Sequence, residues 1–272
     1  MSEHGNLVDD PTGADVRVEG SGPTILIVHP GMDDGRSWAK VAGELAAAHT
    51  VARFTRRQYR PSARRPVSIA DEAEDVVSIA AGLSAPVLLV GHSSGAVVAL
   101  EALVRSPHLF SGAVLYEPPL ETELPSPYAA IDRALDALAN DRPGRAMQLF
   151  VRDMVGLPPA FGVVVRAMVP LVPRMRRLGP WQILDAKSIA ELGDRLSVYA
   201  AIPVPVLLVG GSRSPAHLGR RLDALAAVLP RSSRVEIEGQ GHSANARDPR
   251  GMARLIADFA ASGLDPDGRT LR

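Results

Sequence analysis

Residues 87–103 read Val87-Leu88-Leu89-Val90-Gly91-His92-Ser93-Ser94-Gly95-Ala96-Val97-Val98-Ala99-Leu100-Glu101-Ala102-Leu103. The first four form a short, continuous apolar run, the pattern of a strand buried on both faces. The stretch from Ala96 onward suits a helix. Between them lies G-x-S-x-G, with Ser93 at its centre. A lone match to that pattern is weak in a chain with 24 glycines, but a strand before it and a helix after it are the context it requires. There the serine stands on a strained turn that lifts Oγ above the sheet, and glycine at 91 and 95 lets the neighbouring backbone pass close by. The following helix aims its N–H groups and positive dipole end at developing negative charge. Ser93 is therefore the candidate nucleophile. Ser94 is off-centre and a weaker one. The alternative is a glycine-rich turn that only connects two elements.

Working outward, similar apolar runs recur at Thr24 to Val28, Val51 to Phe54, Ala113 to Tyr116, Val204 to Val209 and Val235 to Ile237, with a shorter one near Val16 to Val18. Alanine-rich helical patterns lie between them: Ser37 to Ala48, Ser68 to Leu83, Gly95 to Ser106, His217 to Leu229 and Asp248 to Ala261. Alternation of this kind predicts an α/β fold, a mostly parallel central sheet flanked by helices on both faces. The rhythm breaks between Glu117 and Ile202, where helical patterns (Ala129 to Ala139, Gly144 to Val155) lead into a stretch containing Pro158, Pro159, Pro170 and Pro173. This interval is far longer than one crossover needs. The expected organisation is a flexible tail over 1–15, a core over 16–118 and 200–265, and an inserted helical cap over 119–199.

Two loops complete a candidate site. His29-Pro30-Gly31-Met32-Asp33 follows the first strong strand. In a parallel sheet such a loop lies beside the serine turn, so a backbone N–H of Gly31 or Met32 is expected to join that of Ser94 in holding an oxyanion. His29 is expected to be structural. Near the C-terminus a strand runs into Glu238-Gly239-Gln240-Gly241-His242, placing His242 to reach back to Ser93 as general base. His92, inside the serine turn, is a candidate pocket-lining residue. His4, His49, His108 and His217 read as surface or structural.

On these motifs, His29-Pro30-Gly31, Gly91-His92-Ser93-Ser94-Gly95 and Gly239-Gln240-Gly241-His242, the chain resembles the α/β-hydrolase superfamily, in its esterase/lipase-like branch, from about Val16 to Ala261. The resemblance implies a Ser–acid–His mechanism with the serine first and the histidine last. Two departures stand out. The family usually writes His-Gly where this chain has His29-Pro30. It also usually carries its acid after the penultimate strand, where this chain has Gly210-Gly211-Ser212-Arg213-Ser214-Pro215, without a carboxylate. Some family members carry the acid one strand earlier. That points to Glu117, in Tyr116-Glu117-Pro118-Pro119, at the end of the strand after the elbow helix. Asp33 or Asp34 is an alternative, as is a dyad with Ser212 or Ser214 as a weak partner. Losing such an acid costs roughly 10⁴-fold in turnover.

Composition bounds the function. The chain has 272 residues, 46% of them apolar, enough for a sizeable core. Lys+Arg and Asp+Glu both number 30, so no global field favours nucleic acid or an anionic membrane, and neither is an expected partner. Arg53 to Arg60 is a local basic cluster, read as a solvated loop, with a phosphate or carboxylate clamp as the alternative. Cysteine is absent, which removes disulfides, thiolate metal sites and cysteine nucleophiles and fits a cytoplasmic location. The start lacks a basic and apolar signal, and no stretch approaches the roughly 20 apolar residues of a membrane span.

No cofactor and no metal is expected. The implied reaction is acyl transfer from a carboxylic ester, thioester or lactone of small to medium apolar character, through an acyl-enzyme. The expected cap interval supplies Met147, Leu149, Phe150, Met154, Phe161, Met168 and Trp181 as an apolar roof, with Trp181, Phe150 and Met154 as substrate contacts. Arg174, Arg176 and Arg177 are placed to meet a carboxylate or a carrier phosphate instead. The rivals are a lyase or cyclase using the same serine and histidine, and a catalytically degenerate small-molecule binder. Epoxide hydrolase or dehalogenase chemistry needs a carboxylate where Ser93 stands.

Overall fold

In a computed structural model, which describes residues 6–8, 13–121 and 128–262, the apolar runs become neighbouring strands of one sheet. They are β1 (Asn6–Val8), β2 (Val16–Glu19), β3 (Thr24–Val28), β4 (Thr50–Arg53), β5 (Val87–His92), β6 (Phe110–Tyr116), β7 (Val206–Gly211) and β8 (Ser232–Ile237). The order across the sheet is β1-β2-β4-β3-β5-β6-β7-β8. From β4 to β8 all pairings are parallel, and the β1–β2 edge is antiparallel. Every residue of β3, β5 and β7 is buried, as their unbroken apolar runs require.

The helices are α1 (Ala39–Leu45), α2 (Ile69–Ala81), α3 (Ser94–Arg105), α4 (Tyr128–Ala139), α5 (Pro143–Asp153), α6 (Pro159–Leu171), α7 (Pro173–Leu192), α8 (Leu196–Tyr199), α9 (Ala216–Val228), α10 (Ala244–Arg247) and α11 (Pro249–Ala261). One face of the sheet packs on α2, α3 and α9 through residues such as Val76, Leu100 and Leu222. The other packs on α1 and α11 through Val41, Leu45, Met252 and Ile256. Helices therefore cover both faces.

The amino-terminal segment differs from the expected tail. β1 lies within it and pairs with β2, Asn6 opposite Val18 and Val8 opposite Val16. Three residues carry no readable periodicity, and β2 supplies the partner that makes them a strand. The rest of that segment up to 12, the link 122–127, and the residues beyond 262, including the last of the expected core, lie outside the described residues.

Between β6 and β7 stand α4 to α8, and α4 to α7 have an apolar core of their own built on Ala146, Met147, Leu149, Val165, Val169 and Ile183. The proline-rich part of this interval is helical. Pro159 and Pro173 open α6 and α7 at the first helical position, where a missing N–H costs nothing.

Candidate active site

The ends of three strands of the sheet bring the site together. β5 ends in the serine turn, β6 ends in Glu117, and the segment after β8 carries His242. Ser93 has φ 52° and ψ −127°, a conformation that costs a non-glycine residue about 1–3 kcal/mol. Its N–H donates to the Tyr116 carbonyl at 2.8 Å. Glycine is required on both sides. A Cβ on Gly91 would lie 2.6 Å from Ala96 Cα, and one on Gly95 would overlap the carbonyls of Val28 and His29. That second contact also shows how closely the elbow helix α3 abuts the end of β3. Ser94 is the first residue of α3, so its N–H has no intrahelical partner.

Glu117 is the second strained residue, with φ 47°. It is 1% exposed. Its Oε1 accepts from Gly211 N at 2.9 Å and its Oε2 lies 2.6 Å from His242 Nδ1. The end of β7, Gly210-Gly211, has no side chains, and the Glu117 carboxylate occupies the space beside it: a Cβ on Gly210 would sit 3.8 Å from Glu117 Oε1. A carboxylate at the end of β6 thus reaches the histidine over a glycine pair.

Among the other candidate partners of His242, Asp33, Asp34 and Ser212 are engaged elsewhere, and Ser214 Oγ is buried without a hydrogen-bond partner among the described residues. Asp33 accepts from Ser37 Oγ at 2.7 Å and from Arg174 at 2.5 Å. Burial opposes its ionisation, yet His29, the Ser37 hydroxyl and Arg174 hold its carboxyl below the usual range. Asp34 pairs with Arg174 and Arg177 at 3.0 and 3.2 Å. Those two arginines therefore meet carboxylates of their own chain. Ser212 Oγ accepts from Gly239 N at 2.8 Å.

The His242 segment is clamped from beneath. Trp38 Nε1 donates to His92 Nδ1 at 3.3 Å, so the His92 proton sits on Nε2, which donates to the His242 carbonyl at 3.0 Å. His92 stacks on Tyr116 with ring centroids 4.4 Å apart, and its centroid is 4.8 Å from that of His242. The Tyr116 hydroxyl donates to the Gly241 carbonyl and accepts from Ala244 N at 3.1 Å. Burial first, and the neighbouring His242 second, push the His92 pKa well below its ordinary value. His92 is 3% exposed with both nitrogens used, so it supports the histidine segment and does not line a pocket.

The loop after β3 carries Gly31 and Met32, the latter at φ 54°. A Cβ on Gly31 would overlap Gln182 Oε1 of α7, so the inserted helices lie directly against this loop. Met32 packs on their core. Phe150 packs on the same core, and Met154 and Trp181 are half-buried. Phe161 and Met168, expected in an apolar roof, are exposed at 50% and 43% on α6. Only Gly162, Val165 and Val169 of that helix turn inward.

The basic cluster is a clamp on internal carboxylates. Arg56, with a fully buried side chain, pairs with Glu72 and with Asp185 Oδ1 of α7 at 2.9 Å. It also donates to Ser94 Oγ at 2.7 Å. Tyr59 donates to Asp185 at 2.8 Å, and Arg56 N to His29 Nε2 at 2.9 Å. Burial opposes the Arg56 charge, but Asp185 and Glu72 outweigh it and raise its pKa. Burial lowers the His29 pKa to about 4. Sequence reasoning missed Arg56, Asp185, Tyr116 and Gln182. Adjacent arginines look alike in sequence, and α7 lies 129 positions from Arg56.

The chain is 28% identical over 207 residues to a pimeloyl-[acyl-carrier protein] methyl ester esterase of Neisseria meningitidis serogroup B, covering 74% of this chain and 78% of that one. Its fold matches an alpha/beta hydrolase from Sphaerobacter thermophilus with TM-score 0.78 and 25% identity, over 94% of this chain and all (100%) of that one. It also matches a thermophilic esterase from Thermogutta terrifontis with TM-score 0.73 and 20% identity, over 92% and 93% of the two chains. A family model described as the alpha/beta hydrolase family matches residues 25–255, a span that holds the serine turn, Glu117 and His242 together. The chain belongs to the alpha/beta hydrolase family.

Proposed function

We propose that this protein is a serine-dependent hydrolase of a carboxylic ester, thioester or lactone with a small to medium apolar acyl or alcohol group. The observation that carries the reading is the buried Glu117 carboxylate 2.6 Å from Nδ1 of His242, whose segment is held against the strained Ser93 turn by His92 and Tyr116. With Nδ1–H bound to Glu117, Nε2 is the free base. Ser93 Oγ attacks the acyl carbon as His242 takes its proton. The N–H groups of Ser94 and of Gly31 or Met32 receive the oxyanion. His242 then protonates the leaving group, and water repeats the sequence on the acyl-enzyme. The methyl ester named for the Neisseria meningitidis relative supports an ester.

The helices α4 to α7 act as a cap over the strand ends. The contact of Gln182 with Gly31 supports this. Trp181, Phe150 and Met154 on the same helices are proposed acyl contacts, and the cytoplasm, which the absence of cysteine favours, is the proposed location.

Wild-type protein and Ser93→Ala, both treated with a fluorophosphonate and analysed by peptide mass, test the reading. An adduct on Ser93, absent from the variant, together with turnover of p-nitrophenyl esters, is expected. Folded protein that neither labels nor turns over an ester or thioester series would overturn it.

A further inference from the structure

Phe161, Val163, Val164, Met168 and Leu171, the most exposed large apolar side chains among the described residues, all lie on α6. Burial on this helix falls at Gly162, Val165 and Val169, one narrow stripe against the other inserted helices. At 100° per residue the opposite side is centred on Ala167, with Val163, Val164 and Leu171 around it, and all are exposed. A surface helix ordinarily turns polar residues to water; this one turns alanine, valine and leucine. Exposed apolar patches of this kind mark a protein or membrane contact.

Charge decides between the two. From Met154 to Leu184 the chain has four arginines, Arg166, Arg174, Arg176 and Arg177, and no aspartate, glutamate or lysine. Arg174 and Arg177 are tied to Asp33 and Asp34, but Arg166 and Arg176 are exposed and form no ion pair among the described residues. Arg166 stands at the border of the apolar face, where its stem can lie along that face while its guanidinium reaches outward. An apolar face with the unpaired Arg166 at its border, and the unpaired Arg176 on the next helix, complements an anionic lipid surface, whose acyl boundary takes the side chains and whose phosphates take the arginines. Self-association fits less well. A 13-residue helix is about 20 Å long, so a pair of such faces would bury on the order of 400 Å² per partner, against roughly 800 Å² in a specific complex. No helix among the described residues is long and apolar enough to cross a membrane, so the contact is one of lying on the surface.

We propose that the exposed face of α6, with Arg166 and Arg176, docks this protein onto membranes containing anionic lipid. This departs from the expectation drawn from whole-chain charge, because a zero net charge averages away a local excess of arginine. It does not depend on the ester-hydrolase reading, and binding is measured without turnover. The full chain is sedimented at low salt with vesicles of phosphatidylcholine alone and of phosphatidylcholine mixed with phosphatidylglycerol. Wild type is expected to partition onto the anionic vesicles. The double variant V163D/L171D should bind at least about tenfold more weakly, with unchanged Tm and unchanged hydrolysis of a water-soluble ester. The double variant R166Q/R176Q should lose the preference for anionic over neutral vesicles. Absence of wild-type binding, or equal binding by V163D/L171D, overturns the proposal. So does a wild-type dimer that V163D/L171D converts to monomer without any vesicle binding, which would assign the face to a second copy.

Discussion

Glu117 and His242 are 125 positions apart in the chain, yet Glu117 Oε2 lies 2.6 Å from His242 Nδ1, and the other Glu117 oxygen is held by the N–H of Gly211. The carboxylate is thus fixed at both oxygens, and its direction toward the imidazole is set by the sheet itself.

Glu117→Gln separates geometry from charge. The amide oxygen can still accept from Gly211 N, which turns the amide N–H toward Nδ1. The imidazole must then carry its proton on Nε2 and cannot take one from Ser93. The expected result is a fall in kcat of about 10³–10⁴ with Tm near that of wild type, measured by steady-state hydrolysis and thermal unfolding.

Tyr116→Phe removes the hydroxyl that accepts from Ala244 N and donates to the Gly241 carbonyl. Both backbone groups then lose a partner, at about 1–3 kcal/mol. Because they flank His242, the loss should fall on kcat more than on KM.

Gly95→Ala and Gly31→Ala should differ. A methyl at 95 overlaps the backbone carbonyls of Val28 and His29, which cannot rotate away. Stability should fall by about 1–3 kcal/mol and hydrolysis by at least about 10²-fold as the turn is displaced. The nearest atoms to a methyl at 31 are those at the end of the Gln182 side chain. That variant should fold as wild type and lose less activity.

Acid should destabilise the fold through two buried histidines. Burial lowers the His29 pKa from 6.5 to about 4, and His92 is lowered well below its ordinary value. Below pH 6.5 the unfolded chain binds protons that the folded chain refuses, so stability is full above 6.5 and falls as pH drops toward 4. Each histidine contributes up to about 1.4 kcal/mol per unit of its shift. Chemical denaturation across this window should show the slope, and His29→Gln should reduce it.

Much of this architecture was legible because buried parallel strands are written as unbroken apolar runs. Val87 to Val90 and Thr24 to Val28 have little other use. Glu117 was legible as a carboxylate at a strand end beside the elbow, where a search for an acid naturally turned once Gly210 to Pro215 supplied none. The proline-rich interval was harder. Pro159 and Pro173 look like breakers in sequence, and only position within a helix distinguishes a first residue from an interruption. Arg56 and Asp185 were out of reach for a different reason. An ion pair between residues 129 positions apart leaves no periodicity in either segment, and Arg56 stands among arginines that behave differently: Arg57 and Arg60 share Asp75 instead. The exposed side of α6 was misjudged because composition shows that residues are apolar without showing which way they turn.

The bond from Arg56 to Asp185 ties the inserted helices to the same guanidinium that reaches Ser94. These helices are therefore not an interchangeable module. A chimera that replaces 119–199 with the equivalent segment of another family member, without a carboxylate at position 185, would leave the Tyr59 hydroxyl without its acceptor in the interior and Arg56 with Glu72 as its one remaining carboxylate partner among the described residues. Segment shuffling at the β6 and β7 boundaries should consequently yield folded protein only when residues 56, 59 and 185 travel together, so that the heritable unit of specificity in this chain includes part of the core.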